Sequence, residues 1–310
     1  MKILFTGASS FTGYWFASAL ARAGHAVMCP LRGSPEAYEG ARKKRIEALQ
    51  KLCPVAPKTP FGSEGFLALV RESKWDLLCH HAADVTDYKS PDFDIQRALQ
   101  GNTLNLRAVL AVLRERGAKG VVLTGSVFEN DEGLGGEGGR AFSAYGLSKG
   151  LTWQMFRHYC LEAAMPLGKF VIPNPFGPFE EPRFTAYLMK TWREGKPAGV
   201  KTPDYVRDNI HVDLLAAVYA RFVARFQNSP PPISQINPSG YVESQGAFTL
   251  RVAREVRSRT KWACEVQLGE QTEFAEPLVR INSEPAARMV EGWREAAAWD
   301  EFVNFYTATS

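Results

Sequence analysis

The sequence predicts an α/β fold, a doubly wound parallel sheet followed by a smaller, mostly helical C-terminal domain. Three observations carry this. Short apolar runs at Lys2–Phe5, Ala26–Cys29, Asp76–His81, Val121–Leu123 and Lys169–Ile172 read as buried strands. Helical stretches alternate with them, most clearly at Arg97–Arg116 and Ala141–Ala164. After Pro173 the alternation stops, and helical segments separated by loops run onward.

Each element has its own signal. The first run ends at the turn Thr6-Gly7-Ala8-Ser9-Ser10-Phe11-Thr12-Gly13. A helix follows, with Phe16, Leu20 and Ala23 on one side, and Gly24 ends it. The second run closes near Arg32. From Gly33 to Phe66 the pattern weakens: Arg42-Lys43-Lys44-Arg45 lies in a helix, prolines recur at 54, 57 and 60, and a third strand near Cys53–Ala56 is faint. Asn174-Pro175-Phe176-Gly177-Pro178 breaks regular structure, and Pro230-Pro231-Pro232 leads into a last strand, Ile233–Ile236. The division predicted is 1–173, with 204–237 returning to it, against 174–203 and 238–310.

Composition narrows the function. The chain has 310 residues, 45% hydrophobic and 23% charged, enough for a sizeable core. A net charge of +4 is too small to argue for nucleic acid and suits anionic small ligands equally well. The five cysteines, at 29, 53, 79, 160 and 264, form no CxxC pair and read as buried apolar residues in a reducing compartment. No signal-peptide layout, membrane-length apolar run or metal-ligand spacing stands out, so a cytoplasmic protein without metal or membrane partner is expected.

The turn after the first strand has the chemistry of a phosphate cradle. A dinucleotide pyrophosphate needs backbone N–H groups at a helix N-terminus and no side chains in the way. Gly7 supplies the tight turn and Gly13 permits close packing of helix on strand, while Ser10 stands where the usual pattern has its middle glycine. Without a ligand this is a plain strand-to-helix connection; its place at the first strand and first helix favours the cofactor reading. Ser9, Ser10, Phe11 and Thr12 complete the cradle. No acidic residue ends the second strand, where one would hold the ribose of NAD. Arg32 is placed there instead to meet a 2′-phosphate, which favours NADP, with NAD the alternative.

Tyr145 and Lys149 are four apart in a predicted helix and share a face. A neighbouring ammonium stabilises a phenolate and makes tyrosine usable as acid or base near neutral pH. Lysine at this position can also hold the nicotinamide ribose.

These features together resemble the extended short-chain dehydrogenases/reductases of the nucleotide-sugar epimerase, dehydratase and reductase type, over nearly the whole chain. Thr6–Gly13 is similar to the family's TGxxGxxG turn apart from Ser10. His80-His81-Ala82-Ala83 resembles its strand ending in two alanines, implying that Ala82 and Ala83 lie beside the cofactor. Tyr145 and Lys149 match its catalytic pair, Arg207–Asp213 its RDxxxVxD segment and Asn174–Pro178 its NxxGP turn. The family places a substrate-orienting hydroxyl just before the tyrosine helix. The strand 121–123 selects Ser126; counting back from Val127-Phe128 selects Thr124. Ser126 is preferred, because the strand fixes where the side chain emerges.

The resemblance also implies a substrate clamp. Arg207 and Arg280 stand where the family binds a diphosphate, and Asn174 could donate to the same phosphates. Surface ion pairing is the bland alternative for both arginines. Asp208 and Asp213 read as caps of a helix beginning near His211, and Asn102 and Asn105 as exposed helix residues. Val127-Phe128 after Ser126 disfavour water elimination. The function implied is a ketoreductase or epimerase acting on a nucleotide-linked sugar, as a homodimer through helices that include 97–116 and 142–164. A dinucleotide-binding regulator or nucleic-acid-binding relative without catalysis is the competing class.

Overall fold

The computed structural model describes residues 1–135, 138–228 and 230–308. In chain order these form β1 (Lys2–Thr6), α1 (Phe11–Arg22), β2 (Ala26–Pro30), α2 (Gly40–Gln50), β3 (Val55–Ala56), α3 (Glu64–Glu72), β4 (Leu77–His80), α4 (Ile95–Thr103) and α5 (Leu106–Glu115). Then follow β5 (Gly120–Ser126), α6 (Ala144–Glu162), β6 (Leu167–Ile172), β7 (Asn174–Phe176), α7 (Phe184–Arg193), β8 (Ala198–Val200), β9 (Val206–His211), α8 (Val212–Ala224) and β10 (Ile233–Ile236). The chain continues through β11 (Pro238–Ser239), β12 (Tyr241–Ser244), α9 (Gln245–Arg257), β13 (Val266–Leu268), β14 (Val279–Arg280), β15 (Glu284–Pro285) and α10 (Glu295–Ala308).

The first compact unit comprises Met1–Glu132, the stretch that ends at Ile172, and Ala216–Asn237. Its seven strands lie in the order β10-β6-β5-β4-β1-β2-β3. Every pairing is parallel. Strands so placed are covered on both faces, which is why β5 is buried along its whole length. One face carries Phe66, Leu110 and Phe156 over Leu4, Leu78 and Val121. On the aromatic side Tyr219 stacks on Phe16 at 4.2 Å and meets Phe5 and Phe170 edge-on. The return to this sheet begins at Ala216 rather than at 204, because β9 pairs with β7, β12 and β14 in the other unit.

The helix read as continuous over 97–116 is broken in two. Asn105 takes φ +50° between α4 and α5, and its side-chain amide donates to Gly62 O at 2.8 Å. The backbones approach so closely here that a Cβ on Gly62 would fall 1.8 Å from Leu104 O. Tertiary contact overrides local helix propensity at this point.

The second unit comprises Pro173–Leu215 and the chain from Pro238, with the short stretch at Gly133. Helices dominate it, yet β9 anchors a four-stranded sheet with β7, β12 and β14. Its core gathers Phe176, Trp192, Phe248, Trp299 and Phe302. Asp208 is no helix cap: its carboxylate accepts from Gly240 N at 2.6 Å and Asn282 N at 3.0 Å, tying two loops to β9. Asp213, in the first turn of α8, accepts from Trp293 Nε1 at 3.0 Å.

Candidate active site

The glycine turn is shaped by exclusion. Gly7 has φ +81°, and a Cβ there would lie 2.7 Å from Ala82 N; on Gly13 it would lie 2.1 Å from Gly7 O. Ser10 caps α1, its hydroxyl accepting from Gly13 N at 3.1 Å and donating to Gly7 O at 2.9 Å. The serine is thus absorbed into the turn that a glycine would make. The first N–H groups of α1, at Phe11 and Thr12, have no carbonyl within the helix to bond, which suits an anionic group. The turn therefore fits a dinucleotide pyrophosphate. Ala82 N donates to Thr6 Oγ1 at 3.1 Å, which pins the start of the Ala82-Ala83 segment to β1.

Two basic residues flank the turn. Arg32 is exposed just beyond β2; the Asp84 carboxyl lies below its usual range, burial opposing the shift and hydrogen bonds from Thr86, then the charges of Arg97 and Arg32, producing it. Arg45, one of four consecutive basic residues, is completely buried, and its Nε donates to Ser9 O at 3.0 Å. Nothing in the sequence separated Arg45 from its three neighbours; only burial does.

At the end of β4, His80 Nδ1 meets Thr6 Oγ1 at 2.9 Å and its Nε2 meets Asn102 O at 3.1 Å. Asn102, expected on the surface, is buried. Its Oδ1 accepts from Asp84 N at 3.0 Å and its Nδ2 donates to Thr152 at 3.2 Å. The ring of His81 turns to the glycine side. Its Nε2 lies 3.1 Å from both Ser10 Oγ and Thr12 Oγ1, and its Nδ1 lies 3.0 Å from Thr124 Oγ1. Burial, with the charge of Lys149 nearby, pushes His80 and His81 down to about 3, so both rings are neutral.

α6 begins at the cap Ser143 and carries Tyr145 in its first turn and Lys149 one turn later. Tyr145 packs edge-on against Tyr88 and Phe93 at 5.6 and 5.9 Å. The Lys149 ammonium is buried and donates to Thr124 O at 2.5 Å. Burial lowers it to about 8; Glu129 opposes that shift and Lys169 adds to it. Ser126 is buried at the end of β5, its Oγ accepting from Phe128 N at 3.3 Å.

Glu129, which follows Val127-Phe128, is buried and accepts from Ser126 N at 2.8 Å. Its other oxygen lies 2.7 Å from the Lys169 ammonium, which also meets Glu132 at 2.5 Å. Glu132 in turn accepts from Gln235 and Asn237. This buried charge cluster fixes the loop behind Ser126, and the strand reading of Lys169 gave no hint of it.

In the second unit, Arg280 of β14 lies in register with Arg207 of β9, and both are buried. Arg207 donates through Nη1 to the carbonyls of Val206, Pro277 and Leu278 and through Nη2 to Glu276 at 2.8 Å, while Tyr205 stacks 4.4 Å beneath it. Glu276 also stands 3.6 Å from Arg280. Burial and the neighbouring Arg207 push Arg280 down to about 10, with Glu276 opposing. Asn174 pairs with Asn209 on β7 and β9. Among the described residues, no group of His, Cys, Asp and Glu could hold a metal ion, and no helix is long and apolar enough to cross a membrane.

Residues 3–257 match the model of the NAD dependent epimerase/dehydratase family. The chain belongs to this family. No match was found among curated protein sequences. Among solved structures, UDP-glucuronic acid 4-epimerase from Bacillus cereus, in complex with UDP-glucuronic acid and NAD, aligns with a TM-score of 0.74 at 16% identity, covering 100% of both chains. UDP-glucose-4-epimerase from Stenotrophomonas maltophila, with NAD and formylated UDP-arabinopyranose, gives 0.75 at 19% identity over 99% of this chain and 98% of that one. The Thermus thermophilus UDP-glucose 4-epimerase complex with NAD gives 0.72 at 19% identity over 100% of both. At such identities the likeness establishes the extended short-chain dehydrogenase fold, with its Rossmann-type sheet.

Proposed function

We propose that this chain is an NAD(P)-dependent oxidoreductase acting on a nucleotide-linked sugar, as an epimerase or a ketoreductase. One observation carries the reading. The buried Lys149 ammonium sits on the carbonyl of Thr124, one helical turn after Tyr145, in the same unit as a turn whose Gly7 and Gly13 leave no room for a side chain. A bound nicotinamide dinucleotide supplies hydride transfer. Tyr145 gives or takes the proton of the reacting oxygen, Lys149 holds the nicotinamide ribose and favours the phenolate, and a hydroxyl from β5 orients the substrate. Gly7, Ser9, Ser10, Phe11, Thr12 and Gly13 cradle the pyrophosphate, with Ala82 and Ala83 beside it. Arg207, Arg280 and Asn174 recognise the diphosphate. The structural relatives' UDP-sugars name the first substrates to try. The reading includes a homodimer formed through α4, α5 and α6.

Arg32, with no acidic residue at the end of β2, favours NADP, with NAD the alternative. A charge-assisted contact to a 2′-phosphate is worth roughly 1.5–3 kcal/mol, so a preference of about tenfold or more is expected. The experiment is direct. The purified chain is titrated with NADH and NADPH by nicotinamide fluorescence, then assayed by chromatography on UDP-glucose and UDP-glucuronic acid. Tighter binding of NADPH, lost in Arg32→Ala, supports the cofactor. Failure to bind either dinucleotide overturns the reading; tighter NADH overturns the NADP assignment.

A further inference from the structure

His81 joins three segments far apart in sequence. Its ring lies stacked on Phe5 at 5.9 Å and edge-on to Phe16 at 5.3 Å, below the glycine turn. At one end it meets Ser10 and Thr12, at the other Thr124. A neutral imidazole has one donor and one acceptor, so the hydrogen bonds around it fix where the proton sits. The nearest acceptor of the Ser10 hydroxyl is Gly7 O at 2.9 Å. With its proton used there, Ser10 Oγ can only accept, from Gly13 N and from His81 Nε2. This arrangement favours the hydrogen on Nε2, shared between Ser10 and Thr12. Nδ1 is then the acceptor of the Thr124 hydroxyl at 3.0 Å, and the Tyr219 phenol, the other side-chain partner of that hydroxyl, can donate to its oxygen. Ser126 differs. Its Oγ accepts from Phe128 N, and among the described residues it makes no hydrogen bond as a donor.

We propose that His81 is a positioning residue that locks the cofactor turn to β5, and that by occupying Thr124 it leaves Ser126 as the hydroxyl that faces the reacting oxygen. The proposal rests on the dinucleotide reading above for what the turn holds. It explains the missing middle glycine: Ser10 supplies the acceptor that the imidazole needs. It also gives Thr124 two holding roles, its carbonyl under Lys149 and its hydroxyl on His81, so displacement of the histidine reaches the lysine through one residue. The titratable groups around the ring are Lys149, His80 and the Tyr219 phenol on the aromatic side; none is anionic near neutrality.

Two measurements on the full chain test this. In the ¹⁵N spectrum of histidine-labelled protein, the resonances lost in His81→Gln are those of His81. They are expected to show the Nε2–H tautomer, unchanged between about pH 5 and 8. A ring that titrates in that range, or the Nδ1–H tautomer, overturns the proposal whether or not a dinucleotide binds. The second measurement is the Kd for NADH and NADPH. His81→Gln keeps an amide nitrogen where Nε2 stood, so its affinity stays within about twofold of wild type. His81→Leu and Ser10→Ala each lose about tenfold, and together no more than either does alone. Wild-type affinity in a folded His81→Leu overturns the proposal; if that variant does not fold, Ser10→Ala and the spectrum decide. Wild-type protein that binds no dinucleotide sinks the function instead, and the tautomer then judges His81 by itself.

Discussion

The ammonium of Lys149 is buried against the carbonyl of Thr124, 2.5 Å away, with no carboxylate in hydrogen-bond contact among the described residues. A charge so placed is costly, and burial lowers its protonation to about 8 from an ordinary value of 10.5. The ammonium is therefore present below about 8 and lost above it. Dinucleotide affinity is expected to fall as pH rises from 7 to 9 in wild type. Lys149→Arg, which stays charged throughout, should remove the slope. A flat wild-type profile in fluorescence titrations excludes a charged Lys149 from cofactor binding.

Tyr145→Phe removes the transferable proton and keeps the ring that packs on Tyr88 and Phe93. Turnover should fall by roughly 10²–10⁴-fold with cofactor affinity retained. Ser126→Ala is expected to cost less than Tyr145→Phe but to lower kcat clearly. Thr124→Val removes a hydroxyl already engaged with His81, so its effect should appear chiefly in cofactor Kd. Steady-state kinetics on a turned-over UDP-sugar separate the three; full activity in Tyr145→Phe abandons the mechanism.

In the second unit, Glu276 stands where an anionic ligand of Arg207 would stand, 2.8 Å from Nη2. On the proposed clamp, a diphosphate would displace it. Arg207→Ala and Arg280→Ala should each weaken UDP binding about tenfold, and Glu276→Gln should strengthen it. Calorimetric titration of UDP, GDP and CDP reads all three. Identical affinities across the set would remove the arginines from substrate recognition.

Lys169→Met leaves the carboxylates of Glu129 and Glu132 buried without their shared cation. Breaking a buried ion pair from one side costs about 3–5 kcal/mol. Urea unfolding should show a loss on that scale, with part of it recovered in Lys169→Met/Glu129→Gln. A change below about 1 kcal/mol would mean that water reaches the cluster.

The order of strands and helices in the first unit was legible in the sequence because parallel strands are continuously apolar and glycine stops helices. The break at Asn105 was not, since its cause, the backbone of Gly62, lies some forty residues away. That Tyr145 and Lys149 share one helix was legible, because their spacing of four matches the helical repeat. His81, Asn102, Arg45 and the Lys169 cluster were not. Each is a polar residue inside a strand or helix whose partners come from other elements, and no local periodicity encodes them.

The sheet order also sets a timetable for synthesis. β6 leaves the ribosome as the outer strand of a six-stranded sheet, with one row of backbone groups open to any neighbouring chain. Its partner β10 lies about 60 residues further on, beyond β7, β8 and β9. Until Ile233–Ile236 emerges, a nascent first unit exposes that edge, and chains truncated before residue 233 should aggregate through β6 where the complete chain does not.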